Sequence, residues 1–253
     1  HPLIEKFIGY SPVDFKNKNN PVVITELFRN GSLYEIVELE KKGSQIENWN
    51  STMKLVSIYS IAAAMSYLHS KDIIHRNLRL KDVFLDNSLF PKIGGLTFAK
   101  FLTDEKDDQT IGEAPYNAPE VWTDNEYSKA SDVYSFSIIV YQLITLLTPY
   151  ENVNYYNIIN KVAVKKERPI FKNPVPDAYK KLIESCWNQD PNKRPSFKQI
   201  VEELKTNQEF ITKDVDEKFY RLYIDIIEKE INGIDTKSLR NQLFSENQQD
   251  LFY

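Results

Sequence analysis

The chain has 253 residues, 42% of them hydrophobic and 13% aromatic, which is enough to build a sizeable core in one large domain. Its formal net charge of -4, with acidic and basic residues interleaved, leaves no basic stripe for nucleic acid and no polybasic membrane anchor. A single cysteine, Cys186, excludes an internal disulfide and a thiolate metal site, so a reducing, intracellular (cytoplasmic) location is expected and Cys186 is read as core.

Leu3 to Gly9 and Pro21 to Leu27 are short apolar runs around an Asn/Lys-rich turn, which predicts a pair of strands. From Ser51 the pattern changes: Met53, Leu55, Val56, Ile58, Tyr59, Ala62, Ala63, Met65 and Leu68 recur at helical spacing. Ser51 is available as the N-cap, and the helix should end near His69 to Asp72. Ile73-Ile74, Val83 to Leu85 and Pro91 to Ile93 read as short segments around turns, and the acidic stretch Thr103 to Asp108 as an exposed loop. Ser131 to Leu147 is apolar on nearly every face, the mark of a helix buried through the middle of a domain. Its longest apolar run, Phe136 to Leu147, is interrupted by Ser137, Gln142 and Thr145 and is shorter than the roughly 18 residues of a membrane span.

Tyr155 to Val164 and Ala178 to Asn188 are two further helices, and Ser196 caps a third that runs to Lys205 with Phe197, Ile200, Val201 and Leu204 on one face. Asp214 to Ile231 places Phe219, Leu222, Tyr223, Ile226, Ile227 and Ile231 along one side of a tail helix, with Gly233 as a C′ residue. That face is expected to pack on the domain's own surface, with docking to a partner helix as the alternative. No signal-peptide pattern stands at the start, which is His1 rather than methionine.

Five motifs follow one another in order. His75-Arg76-Asn77-Leu78-Arg79-Leu80-Lys81-Asp82 before Val83-Phe84-Leu85 resembles the H-R-D-L-x-x-x-N catalytic loop of protein kinases and its apolar strand. Gly95-Leu96-Thr97 stands where a kinase carries D-F-G, and Ala118-Pro119-Glu120 matches A-P-E. Ser131-Asp132-Val133-Tyr134-Ser135-Phe136 resembles the family's D-V-W-S-F-G run. Cys186-Trp187-Asn188-Gln189-Asp190-Pro191-Asn192-Lys193-Arg194-Pro195-Ser196-Phe197 is similar to the C-W-x-x-D-P-x-x-R-P-S-F segment of the tyrosine kinase and tyrosine-kinase-like groups. His1-Pro2-Leu3-Ile4 looks like the family's H-P-x-I, so the resemblance runs from about residue 1 to 204 and enters at the fourth strand of the N-lobe.

The resemblance implies an α+β, protein-kinase-like fold: an N-lobe remnant over 1–28, a mainly helical C-lobe over 29–205 and a helical tail over 206–253. It also implies roles. Asn77 takes the place of the catalytic aspartate, and an amide cannot accept a proton as a base. Gly95 takes the place of the aspartate that holds Mg²⁺, a cation that prefers carboxylate oxygens. Asp82 replaces the metal-binding asparagine and leaves a weak metal site open, while Arg79 keeps the H-R-D-L-R pattern. Neither a glycine-rich loop nor a V-A-I-K lysine is found among the residues given.

By the same resemblance Thr25 is the gatekeeper, Glu26 and Phe28 belong to the hinge, and Phe84 lies beneath the adenine position, where it either stacks on a base or fills the space. Filling is the expectation. His75 and Asp132 brace the catalytic loop, Glu120 pairs with Arg194, Trp187 packs behind that pair, and Arg76 is placed to grip a phosphate on the activation segment. The function expected is a pseudokinase that binds other proteins, an active kinase or signalling protein among them, with no cofactor required. The alternatives are a low-rate protein kinase using ATP and Mg²⁺, and a non-catalytic ATP sensor.

Overall fold

The computed structural model describes residues 1–103 and 110–249, with side chains described as far as 243. The acidic stretch predicted as an exposed loop falls largely outside the described residues. Three antiparallel two-stranded ladders and nine α-helices make up the described fold, a mixed α+β architecture of the kinase type.

β1 (Phe7–Ser11) pairs with β2 (Val22–Thr25), with an irregularity between Phe7 and Gly9. The first strand begins later than the apolar run suggests. Leu3 is buried against the main core instead, and Ile4 forms an isolated bridge with Ile93. α1 (Leu33–Lys41) follows, opened by a capping box between Ser32 and Glu35. β3 (Ile73–Ile74) pairs with β6 (Lys100–Phe101), and β4 (Val83–Leu85) with β5 (Pro91–Ile93). These short ladders hold the loop between β3 and β4 against the residues around Gly95.

α2 (Ser51–Ser70) and α4 (Lys129–Thr145) are buried along most of their length, as their nearly continuous apolar patterns require. The cap of α2 is Asn50, not Ser51: the Asn50 carboxamide accepts from the Met53 N–H at 3.0 Å. α3 (Pro119–Asp124) starts on the A-P-E proline, α5 (Tyr155–Ile159) continues as a π turn over Asn160–Val164, and α6 (Asp177–Cys186) ends two residues earlier than predicted. α7 (Phe197–Thr206) is capped by Ser196, whose hydroxyl accepts from the Gln199 N–H.

The tail helix α8 (Glu217–Ile231) lies on the domain itself. It buries Phe219, Tyr220, Tyr223, Ile224, Ile226 and Ile227, so Tyr220 and Ile224 belong to its inner face, whereas Leu222 is half-buried and Ile231 exposed. Tyr223 Oη bonds Ser60 Oγ on α2 at 2.7 Å, and Tyr220 Oη donates to the Leu204 carbonyl at 3.0 Å. Gly233, at φ +75°, ends the helix as expected of a C′ residue. α9 (Lys237–Gln249) folds back on α8 through the Arg240–Glu230 ion pair. No described helix is long and apolar enough to cross a membrane.

Candidate functional site

The catalytic-loop segment is built on one buried carboxylate. Asp132, in the first turn of α4, accepts the backbone N–H of His75 at 2.8 Å and of Arg76 at 2.9 Å, and bonds His69 Nε2 at 2.9 Å. Burial alone pushes the Asp132 carboxyl up; the His69 hydrogen bond and charge, the His75 charge and the His75 N–H outweigh it and hold the group below its ordinary value. This clamp lets Arg76 sit at φ +66°, a conformation that non-glycine residues seldom adopt. His69 was not singled out in the sequence; its only signal is a histidine at the end of a buried helical face.

His75 bonds the Gly94 carbonyl through Nε2 at 2.9 Å, so the loop is tied to the residue before Gly95. Its Nδ1 is buried without a hydrogen-bond partner among the described residues. Asn77, expected from the sequence to stand where the family carries its base, is buried, and its amide makes no hydrogen bond to a described residue. Arg76 reaches towards the activation segment: Nε donates to the Phe98 carbonyl at 2.6 Å and the guanidinium lies over the Tyr127 ring. Of the two threonines between Phe101 and Glu113, Thr110 bonds Asn125 and Thr103 is exposed.

Asp82 sits at the end of a 3₁₀ turn, Leu80–Asp82, that swings its carboxylate under Gly95. A Cβ at Gly95 would lie 2.9 Å from the Asp82 carboxyl carbon and closer still to Oδ1, and Gly95 is itself at φ +67°. The carboxylate therefore fills the place of any side chain at 95. Both its oxygens are held by Arg79: Nε donates to Oδ2 at 2.7 Å and Nη2 to Oδ1 at 3.2 Å. Arg79 also pairs with Glu113, and these carboxylates, the Asp82 bond first, raise its guanidinium above the ordinary value. The residues present do not fit a magnesium ion: Gly95 offers no ligand, and the Asp82 oxygens face an in-chain cation. Among the described residues no three His, Cys, Asp or Glu side chains converge as a metal set.

Where the sequence places the adenine position, two rings stack on each other. Phe84 stacks on Phe28 with centroids 5.2 Å apart and planes 7° from parallel, too close for a third ring between them. Gly94 makes room for this, since a Cβ there would stand 2.6 Å from Phe84 Cε2 and 2.5 Å from Glu5 Oε2. Glu26 accepts from the Lys6 N–H and pairs with Lys92 Nζ at 2.8 Å, and these bonds outweigh its partial burial to hold its carboxyl below the ordinary value. Thr25 closes β2 opposite Phe7. Phe28, Phe84, Lys92 and Glu26 thus form one packed cluster drawn from the hinge and the β4–β5 ladder.

Farther away, Glu120 and Arg194 make a two-pronged ion pair at 2.6 and 2.8 Å, and the same guanidinium donates to the Asn188 and Ala130 carbonyls. The aromatic face under Arg194 is Tyr134's, which also carries Arg168 on it. Trp187, expected behind the pair, has Tyr141 and Phe171 as its ring neighbours. Cys186 is buried and its thiol is pushed up to about 12 by burial, so it is core and not a nucleophile.

Comparison with known proteins fits this architecture. A family model described as protein tyrosine and serine/threonine kinase matches residues 1–204. The chain is 33% identical over 205 residues to a probable serine/threonine-protein kinase of Dictyostelium discoideum, covering 81% of this chain and 15% of the relative. It is 35% identical over 219 residues to a probable LIM domain-containing serine/threonine-protein kinase of the same organism, covering 84% and 31%. To the serine/threonine-protein kinase CTR1 of Arabidopsis thaliana it is 32% identical over 209 residues, covering 81% and 25%. The chain spans less than a third of the length of each of these relatives. On the match over residues 1–204 and these identities, the chain belongs to the protein tyrosine and serine/threonine kinase family.

Proposed function

We propose that this kinase-family domain is catalytically impaired and acts as a signalling scaffold or allosteric interaction module. The observation that carries the reading is the Arg79–Asp82 pair beneath Gly95, in which the one carboxylate left at the metal position is neutralised from within the chain. Phosphoryl transfer depends on positioning, on metal between the phosphates and on a base for the acceptor hydroxyl. Losing the base costs roughly 10²–10⁴ in rate, and losing metal stabilisation costs several kcal/mol more. The two losses need not multiply, because groups that act as a unit are non-additive. Either alone makes turnover slow.

The Phe28–Phe84 stack supports the same reading, because it fills the base position with side chains. The scaffold, by contrast, is complete: Asp132 clamps the loop and Glu120–Arg194 braces the far end of the C-lobe. A folded surface without chemistry suits binding to other proteins, an active kinase or another signalling protein among them. The relatives' names favour a second reading, slow transfer of the ATP γ-phosphate to protein serine, threonine or tyrosine. Purified protein with ATP, magnesium and a generic protein acceptor separates the two. No turnover is expected; turnover that disappears in Asp82→Ala overturns the scaffold reading.

A further inference from the structure

The family match ends at residue 204, and the tail beyond it folds back onto the β4–β5 hairpin. Phe90, buried just before β5, makes the contact: its ring lies 4.9 Å from that of Tyr223 and 6.4 Å from that of Phe219, both on α8. Asp86 shapes the turn that presents Phe90, its Oδ1 accepting the Ser88 N–H at 2.8 Å and the Phe90 N–H at 2.9 Å. The tail is docked on a turn fixed by its own hydrogen bonds.

The same hairpin carries the hinge cluster. The Asp86 carbonyl accepts the Asn30 side-chain N–H at 2.7 Å, the Leu85 N–H donates to the Gly31 carbonyl at 2.9 Å, and Phe84 faces Lys92 across the ladder. Lys92 in turn holds Glu26 and lies over the Phe28 ring, 5.9 Å from its centroid. A second part of the tail meets the hairpin by charge. Glu230 accepts from Arg240 at 2.5 and 2.7 Å and from Thr236 at 2.6 Å, which joins α9 to α8. Burial pushes the Glu230 carboxyl up; the Arg240 and Thr236 hydrogen bonds, with the Arg240 and Lys92 charges, outweigh it and hold the group below its ordinary value. Arg240 is raised above its ordinary value, first by the Glu230 hydrogen bond and then by charges that include Asp86. Asp86 and Lys92, on either side of the hairpin turn, are both within electrostatic reach of the tail.

We propose that α8 and α9 are a clamp on the β4–β5 hairpin, and that their docking keeps Phe84 stacked on Phe28. This rests on the reading of that stack as a plug at the base position. The coupling is reciprocal by linkage: whatever frees the tail loosens the stack, and whatever opens the stack weakens the docking of the tail. Phe90, Asp86 and Lys92 are positioning residues in this device, since none of them belongs to the stack itself. The allosteric reading thereby gains a path from the tail to the hinge.

The test is NMR of the full chain, reading amide hydrogen exchange at Leu85 and the ring resonances of Phe84. The Leu85 N–H, bonded to Gly31, reports separation of the hairpin from the hinge segment, and the Phe84 ring reports the stack. Arg240→Ala breaks the partly exposed corner between α9 and α8, and Phe219→Leu withdraws one ring from Phe90 while keeping the site apolar. In at least one of these variants Leu85 is expected to exchange about tenfold faster and the Phe84 ring resonances to move. Tyr116→Phe, which removes a buried hydroxyl bond to Gln142 away from the tail, should change neither. Unchanged Leu85 exchange in both tail variants overturns the proposal. So does faster exchange with fixed Phe84 resonances, or an equal acceleration in Tyr116→Phe, which would mark a general loss of stability. Melting with ATP reports separately on whether the stack excludes nucleotide, so failure of the clamp and failure of the plug are told apart.

Discussion

Arg79 holds both carboxylate oxygens of Asp82, at 2.7 and 3.2 Å, and through Glu113 it ties the catalytic loop to the end of the activation segment. The guanidinium neutralises this carboxylate from within the chain. An Arg–carboxylate fork of this kind has fixed geometry as well as charge. The loop is therefore held in one arrangement by its own side chains.

Gly95→Asp should not rebuild a metal site. The new Cβ meets the Asp82 carboxyl and the position keeps φ +67°, so a loss of about 1–3 kcal/mol in denaturant unfolding is expected. Magnesium should leave the melting temperature of the variant unchanged. A magnesium-dependent rise in melting temperature would show that Asp82 and Arg79 rearrange.

The Phe28–Phe84 stack predicts the response to nucleotide. With the base position filled by side chains, millimolar ATP should leave the melting temperature unchanged. A ligand at 100 times its dissociation constant would add roughly 2.7 kcal/mol, which a thermal shift detects readily. Phe84→Leu opens the space beneath the hinge, and a shift that appears only in this variant would identify the ring as the plug.

Breaking the Glu120–Arg194 pair from one side should be costly. Glu120→Ala leaves a guanidinium whose side chain is wholly buried, and a loss of about 3–5 kcal/mol is expected from chemical denaturation. The double variant Glu120→Leu with Arg194→Met should lose less than the single one, since no uncompensated charge remains. A loss in the double variant at least as large as in the single one would mean that the Arg194 bonds to the Asn188 and Ala130 carbonyls outweigh the uncompensated charge.

Asp132 gives the fold a dependence on acid. Its carboxyl is held below the ordinary value in the folded chain, so its contribution is fully present above the unfolded value near 3.8 and is lost as pH falls through the lower folded value. Asp132→Asn should lower stability at pH 7 and flatten the acid limb of the stability curve below about pH 4. An unchanged acid limb in the variant would move the effect to other carboxylates.

On the tail, Tyr223→Phe removes the bond to Ser60 and should cost about 1 kcal/mol, while Tyr223→Ala empties a fully buried site between α8, Phe90 and α2 and should cost about 3–5 kcal/mol. Both are read from equilibrium unfolding. A cost below about 0.5 kcal/mol for the alanine variant would show α8 to be loosely docked.

The helices buried on all sides were legible from sequence, because α2 and α4 carry apolar residues at nearly every turn and no surface element does that. The motif positions were legible too, as residue types at fixed spacing. Capping was less so: Asn50, Ser51 and Thr52 are three adjacent candidates, and only the path of the Met53 N–H selects Asn50. The tail face slipped for a similar reason. Periodicity locates a stripe, but Tyr220 is drawn inward by the Leu204 carbonyl and Ile231 is left exposed where the helix runs off the core.

The sequence by itself determined that Asn77 and Gly95 stand in the two motifs, since residue identities are covalent facts. What surrounds them was decided by tertiary structure. Asp82 lies three residues from Arg79, yet only the 3₁₀ turn between them turns the carboxylate under Gly95 and both oxygens into the guanidinium. Phe28 and Phe84 are 56 residues apart and meet because the hinge and the β4–β5 ladder converge. His69 meets Asp132 across two helices. Chain spacing fixes which groups exist; long-range packing fixes the distances and burial that set what those groups can do.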